Sequence, residues 1–153
     1  MRALIIFFAT GIYSGYAPIA PGTAGSVVGV AVVWFVFGPL WMHSPALCLT
    51  VFAIAFAIAC WISDRAEKIF DNHDDSRIVI DEVLGMAATM FGNPITFVWL
   101  MIGFLLFRVA DVIKPWPASL IDRRMRNGAG VMLDDLAAAI YANIVLHVIA
   151  RVL

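Results

Sequence analysis

Two acidic pairs, Asp81-Glu82 and Asp134-Asp135, and one acid spaced between two cations, Arg108-x-x-Asp111-x-x-Lys114, are the residues of this chain best equipped for chemistry. Carboxylates gathered in that number offer hard oxygen ligands to a divalent cation, and Mg²⁺ is the one that commonly works with phosphate. Arginine and lysine supply the charge-assisted contacts that a phosphate needs. Each group also has a plainer reading. Acids in the first turn of a helix are favoured by its dipole, so Asp81 and Glu82 could simply start one. Their side chains leave a helix about 100° apart, so one of the two is expected to face a site squarely. Arg108, Asp111 and Lys114 share a helix face and could form a snorkelling ladder ended by the Pro115-Trp116-Pro117 anchor. Asp134 and Asp135 resist such a reading. They lie several residues inside an apolar helix, past any capping position, where paired carboxylates are costly without a compensating cation.

A fourth segment, Ala20-Pro21-Gly22-Thr23-Ala24-Gly25-Ser26, leads into an apolar run. Its Pro and Gly residues shape a tight turn, Thr23 is expected to cap the following helix, and Ser26 then falls at its third position. The free N–H groups of such a first turn form an anion site, which makes Gly22, Thr23 and Ser26 candidates for holding phosphate. No P-loop lysine follows, so nucleotide binding by that route is not expected. His73 and Asp74, in the loop before Asp81, are second-rank candidates. His43 and His147 fall at the periphery of apolar segments.

The elements that must position these groups follow from where charge is absent. Residues 3–63, 83–107 and 136–150 contain no Asp, Glu, Lys or Arg, and only Arg2 and Arg151 lie outside the two charged stretches 64–82 and 108–135. A water-soluble domain cannot leave 61 consecutive residues uncharged, whereas a bilayer protein must, because a charge at the centre of a spanning helix costs about 2.5–3.5 kcal/mol. At 63% hydrophobic residues and a mean hydropathy of +0.94, the chain exceeds the roughly 45–50% of soluble domains. The 153 residues read as one membrane domain, 1–153. The net charge of −1 gives no reason to expect a nucleic-acid partner. Cys48 and Cys60 sit in apolar segments without metal-ligand spacing and imply neither a disulfide nor a zinc site.

A crossing helix needs about 20 apolar residues. Residues 1–12 are too few and read as a short helix retained on or in the membrane surface. Residues 24–42 form the first span, 46–63 the second, extended beyond the lipid by an Asp64–Lys68 pair, and 131–150 the last. Block 83–107 is long enough for one span but is divided by Gly92-Asn93-Pro94. Eight of the ten basic residues, including Arg126, lie in the loops flanking this block. The positive-inside rule then puts both loops in the cytoplasm, and that requires a re-entrant hairpin in place of a fourth crossing. The expected fold is all-α: a small polytopic membrane helical bundle with about four spanning helices plus short re-entrant or interfacial helices. This threading brings the four polar clusters to one face, and that convergence argues for a site.

Tyr16-Ala-Pro-Ile-Ala-Pro-Gly-Thr-Ala-Gly-Ser26, His73-Asp74 followed by Ile78-Val-Ile-Asp-Glu-Val-Leu-Gly85, Phe107-Arg-Val-Ala-Asp-Val-Ile-Lys-Pro-Trp-Pro117 and Gly130-Val-Met-Leu-Asp-Asp135 together resemble the phosphatidylglycerophosphatase A family, over nearly the whole chain and in the family's order. The resemblance implies a bacterial inner-membrane, Mg²⁺-dependent phosphatase that converts phosphatidylglycerophosphate to phosphatidylglycerol. Carried onto this chain, the family's acids are Asp81, Glu82, Asp111, Asp134 and Asp135, joined by Lys114 and the 21–26 turn. Ala139 departs from the glycine common in the family after the paired acids. A phosphatase for another lipid phosphate shares the same physics. A small cation transporter could use the same acids but would not need Arg108, Lys114 or an anion site beside them.

Overall fold

The computed structural model describes residues 1–125 and 127–152; Arg126 of the basic loop lies outside the described residues. The described residues form helices and no strand. A short helix α1 (Arg2–Ala9) precedes a glycine-rich turn and a single 3₁₀ turn at Ser14–Tyr16. The first long rod, Pro21–His43, consists of α2 (Pro21–Val32), a π-helical stretch at Val33–Phe37, and α3 (Gly38–His43). Ser44 then caps α4 (Pro45–Phe70) by accepting the Leu47 amide. The rod Pro21–His43, α4 and the final helix α8 (Gly128–Val152) are each long and apolar enough to cross a membrane. The Asp64–Lys68 pair forms at 2.6 Å on the polar extension of α4.

Block 83–107 is not one continuous rod. It divides between α5 (Ile80–Met90) and α6 (Phe97–Ile113), and the two run antiparallel. A side chain at Gly85 would strike the Phe107 ring, and one at Gly103 would strike Met90, so α6 recedes as α5 advances. A helix of eleven residues rises only about 16 Å, roughly half a hydrocarbon core. The helix–turn–helix of the sequence reading is therefore the observed arrangement, and among the described residues three helices are long and apolar enough to cross a membrane, close to the expected count of about four.

Small residues let the other helices close on this hairpin. Gly25 and Gly29 of α2 leave space for Val79, Val83 and Met86, while Gly128 of α8 lies against the backbone of Asp64. Close backbone approach of this kind is how membrane helices associate when lipid is as apolar as the side chains. The core is built from Phe37, Phe52, Met86, Leu100, Phe107, Met132 and Leu146. Trp34, Phe35, Ile54, Leu105, Ile144 and Val148 are exposed on the outside of the bundle, as lipid-facing residues must be. At one end lie Gly22, Asp64, Glu82, Arg108 and Gly128; at the other, Gly38 meets Ile95 and Gly92 meets His147.

The turn between α5 and α6 carries non-helical backbone between apolar helices, and within a membrane such backbone is tolerated only where protein satisfies it. Asn143 of α8 does so, donating from Nδ2 to the carbonyls of Phe91 (2.8 Å) and Thr89 (2.9 Å). Asn93 in the turn lies 3.2 Å from Nδ1 of His147, and that nitrogen is 3.0 Å from the Asn143 carbonyl. His147 is thus part of the clamp on the hairpin tip, where the sequence had suggested a peripheral residue.

Candidate active site

The cleft at the head of the bundle draws its walls from five segments: Ala20–Gly22, the loop at Asp74 and Ser76, the first turn of α5, the end of α6 and the first turns of α8. Its volume is about 250 Å³. Asp81 is buried because α5 starts one residue earlier, at Ile80, and Val79 just before it donates its backbone N–H to the Ala9 carbonyl. Asp134 and Asp135 are seven and eight residues into α8, at 3% and 5% exposure.

Asp81, Glu82 and Asp135 each present a carboxylate oxygen within 4.8 Å of the other two. Both members of the first acidic pair therefore reach the cluster, where the helical angle between them suggested that only one would. Glu82 has the longer side chain, and Gly22 makes room for it: a methyl group there would collide with Glu82 Oε1. Asp81 Oδ1, Glu82 Oε2 and Asp135 Oδ2 are buried without a hydrogen-bond partner in the protein. A buried carboxylate oxygen left so is costly, and three of them converging form a donor set for a hard cation. The residues fit a divalent ion such as Mg²⁺.

The other two acids are already paired. Asp111 accepts from Arg108 Nη1 at 2.6 Å, and the same guanidinium lies 3.8 Å from Glu82 Oε1. Asp134 accepts from the Lys114 ammonium, and its second oxygen accepts the Asp135 amide. Lys114 ends α6 in a left-handed conformation. That turn sends its side chain to Asp122 of the short helix α7 (Ala118–Arg124), at 2.8 Å, as well as to Asp134. Burial disfavours its charge, but the bonds to Asp122 and Asp134 outweigh that and hold the ammonium above the usual lysine range. The i,i+3 relation between Asp111 and Lys114 produces no bond between them. The two cations are instead held by different acids, Arg108 by Asp111 and Lys114 by Asp122 and Asp134.

The helix start departs from expectation. Ala20, in a left-handed conformation, occupies the N-cap, Pro21 is the first helical residue, and Thr23 caps nothing. The Thr23 and Ala24 amides both bond to the Ala20 carbonyl, and the buried Ser26 hydroxyl donates to Gly22 O at 2.9 Å. Proline has no N–H, so Gly22 alone of the three candidates lines the cleft and has an amide to offer there. Asp74 reaches the cleft rim, whereas His73 turns outward to pair with Glu67 at 2.6 Å. The loop carrying Asp74 is pinned by Arg77, which donates to both oxygens of Asp75 at 2.7 Å. Those bonds outweigh the opposing effect of burial and hold the Asp75 carboxyl down at about 2.

Sequence reasoning missed Asp122 and Asn143, and read Asn93 only as part of the turn. Asp122 lies beyond Pro115-Trp116-Pro117, across which no helical period can be read. Asn143 did carry a signal: an amide inside the uncharged block 136–150 must find a partner.

The profile of the phosphatidylglycerophosphatase A family matches residues 7–150. Phosphatidylglycerophosphatase A of Escherichia coli strain K12 is 33% identical over 146 residues, covering 94% of this chain and 81% of its own. The Haemophilus influenzae protein of the same name is 33% identical over 150 residues, covering 95% and 88%. A Bacteroides thetaiotaomicron protein, provisionally named a phosphatidylinositol-3-phosphatase, is 32% identical over 158 residues, covering 95% and 92%. No solved structure matches the chain.

Proposed function

The chain belongs to the phosphatidylglycerophosphatase A family, and from that membership and the site we propose that it hydrolyses phosphatidylglycerophosphate to phosphatidylglycerol and phosphate. The observation that carries this reading is the juxtaposition in one cleft of two cations with three buried carboxylates, each of which has an oxygen without a hydrogen-bond partner. Asp81, Glu82 and Asp135 would hold Mg²⁺. Bound there, the ion supplies a Lewis acid for phosphoryl oxygens and lowers the pKa of a water.

The protein's own groups do the rest. Arg108 and Lys114, which both line the cleft, hold the non-bridging oxygens of the phosphomonoester, with the Gly22 amide as a further donor. Asp111 and Asp134 keep those two cations in place before substrate arrives, which makes them positioning groups rather than primary ion ligands. Water attacks phosphorus in line as the bond to the glycerol oxygen breaks. The water's proton passes to a carboxylate oxygen of the cluster, and the departing oxygen is protonated to give the phosphatidylglycerol hydroxyl. Val112, Ile113 and Trp116 are exposed around Lys114, so the acyl chains remain in lipid while the headgroup enters the cleft.

The site faces the cytoplasmic side of a bacterial inner membrane on this reading, because the basic loops border it. Single cysteines at Ser76 and Asn127, in a protein lacking Cys48 and Cys60, should both resist an impermeant reagent added outside intact cells; labelling of either refutes the orientation. For the activity, the purified protein should release phosphate from phosphatidylglycerophosphate and lose that activity to a chelator, with recovery on adding Mg²⁺. No release from that lipid, but release from phosphatidylinositol 3-phosphate, would move the substrate to that of the Bacteroides relative's name. Full activity in chelator would reject the ion.

A further inference from the structure

Helix α5 separates two cavities. Asp81 and Glu82 face the cleft described above, whereas Ile80, Val83 and Leu84, at i, i+3 and i+4, turn to the other side. There they back a slot of about 350 Å³ whose lining is entirely apolar. Phe8 and Ile12 form one wall and Ile58 and Ile62 another, with Val28 and Val83 behind. Phe8, Ile12 and Ile58 are about half exposed, so the slot opens sideways from the bundle. Since α4 is a candidate crossing helix, that opening meets hydrocarbon.

The same two helices carry charge above the slot. Along α1, Arg2, Ile5 and Phe8 follow one another at helical spacing; along α4, Ile69, Arg65, Ile62 and Ile58 do the same on one face. Arg2 and Ile5 meet Arg65, Lys68 and Ile69 around a surface depression, and one turn deeper on each helix Phe8 and Ile62 enter the slot. Three cations therefore stand about one helical turn above the slot, on the two helices that wall it. Asp64, bonded to Lys68 at 2.6 Å, offsets part of one of them.

We propose that this slot is a second lipid site, distinct from the catalytic cleft, that holds one anionic phospholipid. Its phosphodiester lies among Arg2, Arg65 and Lys68, and one acyl chain runs along Phe8, Ile58, Ile62 and Val83. The charge above the slot selects the lipid class. A zwitterionic headgroup brings a cation into a cluster that is already positive, whereas an anionic one does not. Each basic group near a membrane surface contributes about a fivefold preference for anionic lipid, and the Asp64 pairing removes part of that. The proposal does not depend on the phosphatase reading.

The test is native mass spectrometry of the full chain, stripped of lipid in detergent and titrated with dioleoyl-phosphatidylglycerol or dioleoyl-phosphatidylcholine. The wild type should retain one phosphatidylglycerol with a preference of about tenfold or more over phosphatidylcholine. The surface variant Arg2→Gln/Arg65→Gln/Lys68→Gln should bring the two lipids to parity. Ala59→Phe, which fills the slot from a position only 1% exposed, should lower retention of both. Ile58→Trp, at the exposed wall, does the same if Ala59→Phe fails to fold. Lys114→Met, in the catalytic cleft, should leave the preference unchanged. Equal retention of the two lipids by the wild type overturns the proposal. So does a preference that survives the triple variant or disappears with Lys114→Met, because the lipid would then be in the catalytic cleft.

Discussion

Lys114→Met keeps the apolar stem and deletes the ammonium, and the structure separates its two consequences. Loss of one charge-assisted contact to phosphate removes about 1.5–3 kcal/mol of transition-state binding, or roughly 10–150-fold in kcat/KM. The second effect is on the fold, because Lys114 also neutralises Asp134, which is 3% exposed. Stripping a buried carboxylate of its partner costs about 3–5 kcal/mol. Lys114 retains 31% exposure, so solvent screening reduces this to about 2 kcal/mol, a fall of several degrees in Tm. The double variant Lys114→Met/Asp134→Asn removes the stranded charge. Phosphate release from phosphatidylglycerophosphate in micelles and thermal unfolding should be measured on all four combinations. The double variant should regain most of the lost stability and none of the activity. If activity returns with stability, Lys114 merely neutralises Asp134. A wild-type rate in Lys114→Met alone also refutes its contact with phosphate.

Three further outcomes follow from particular contacts. Gly22→Ala places a methyl group against Glu82 Oε1 and near Arg108; displacing that carboxylate should lower activity about tenfold or more and raise the Mg²⁺ needed for half-maximal rate, with Tm nearly unchanged because a side-chain end can move. Asn143→Leu leaves the Thr89 and Phe91 carbonyls only the longer contacts from Asn93 Nδ2, at 3.4 and 3.3 Å, which should cost about 1 kcal/mol or more and appear as a lower Tm; an unchanged Tm would show that the hairpin tip does not need Asn143. Asp75, held at about 2 by its bonds to Arg77 against an ordinary value of 3.8, is a depressed acid: its contribution is complete above the ordinary value and lost as pH falls through about 2. Asp75→Asn should therefore narrow its stability deficit against wild type as pH drops from 5 to 2, and a deficit constant over that range would refute the ion pair's contribution.

The hairpin shows how the two levels of description divide. Its presence was legible in the sequence because Gly92-Asn93-Pro94 cuts an uncharged block and eight cations flank that block; bilayer energetics act on composition, and composition is linear. The spans 24–42, 46–63 and 131–150 were legible for the same reason, as were the acids of the candidate site. Asp134 and Asp135 stood out because two charges well inside an apolar helix demand compensation. The partners were not legible. Arg108 chose Asp111 and Glu82, while Lys114 left its own helix for Asp122 and Asp134. The left-handed end of α6 aims that side chain, and α7 is folded back after the Pro-Trp-Pro bend. The cap also moved from Thr23 to Ala20, which leaves Gly22 as the residue that admits Glu82. Asn143 likewise met the hairpin tip only through the packing of α8. A charge's cost depends on depth, which a run of residue types encodes; its partner depends on where a helix ends and which face it turns. Those were decided when the helices closed on one another at their glycines.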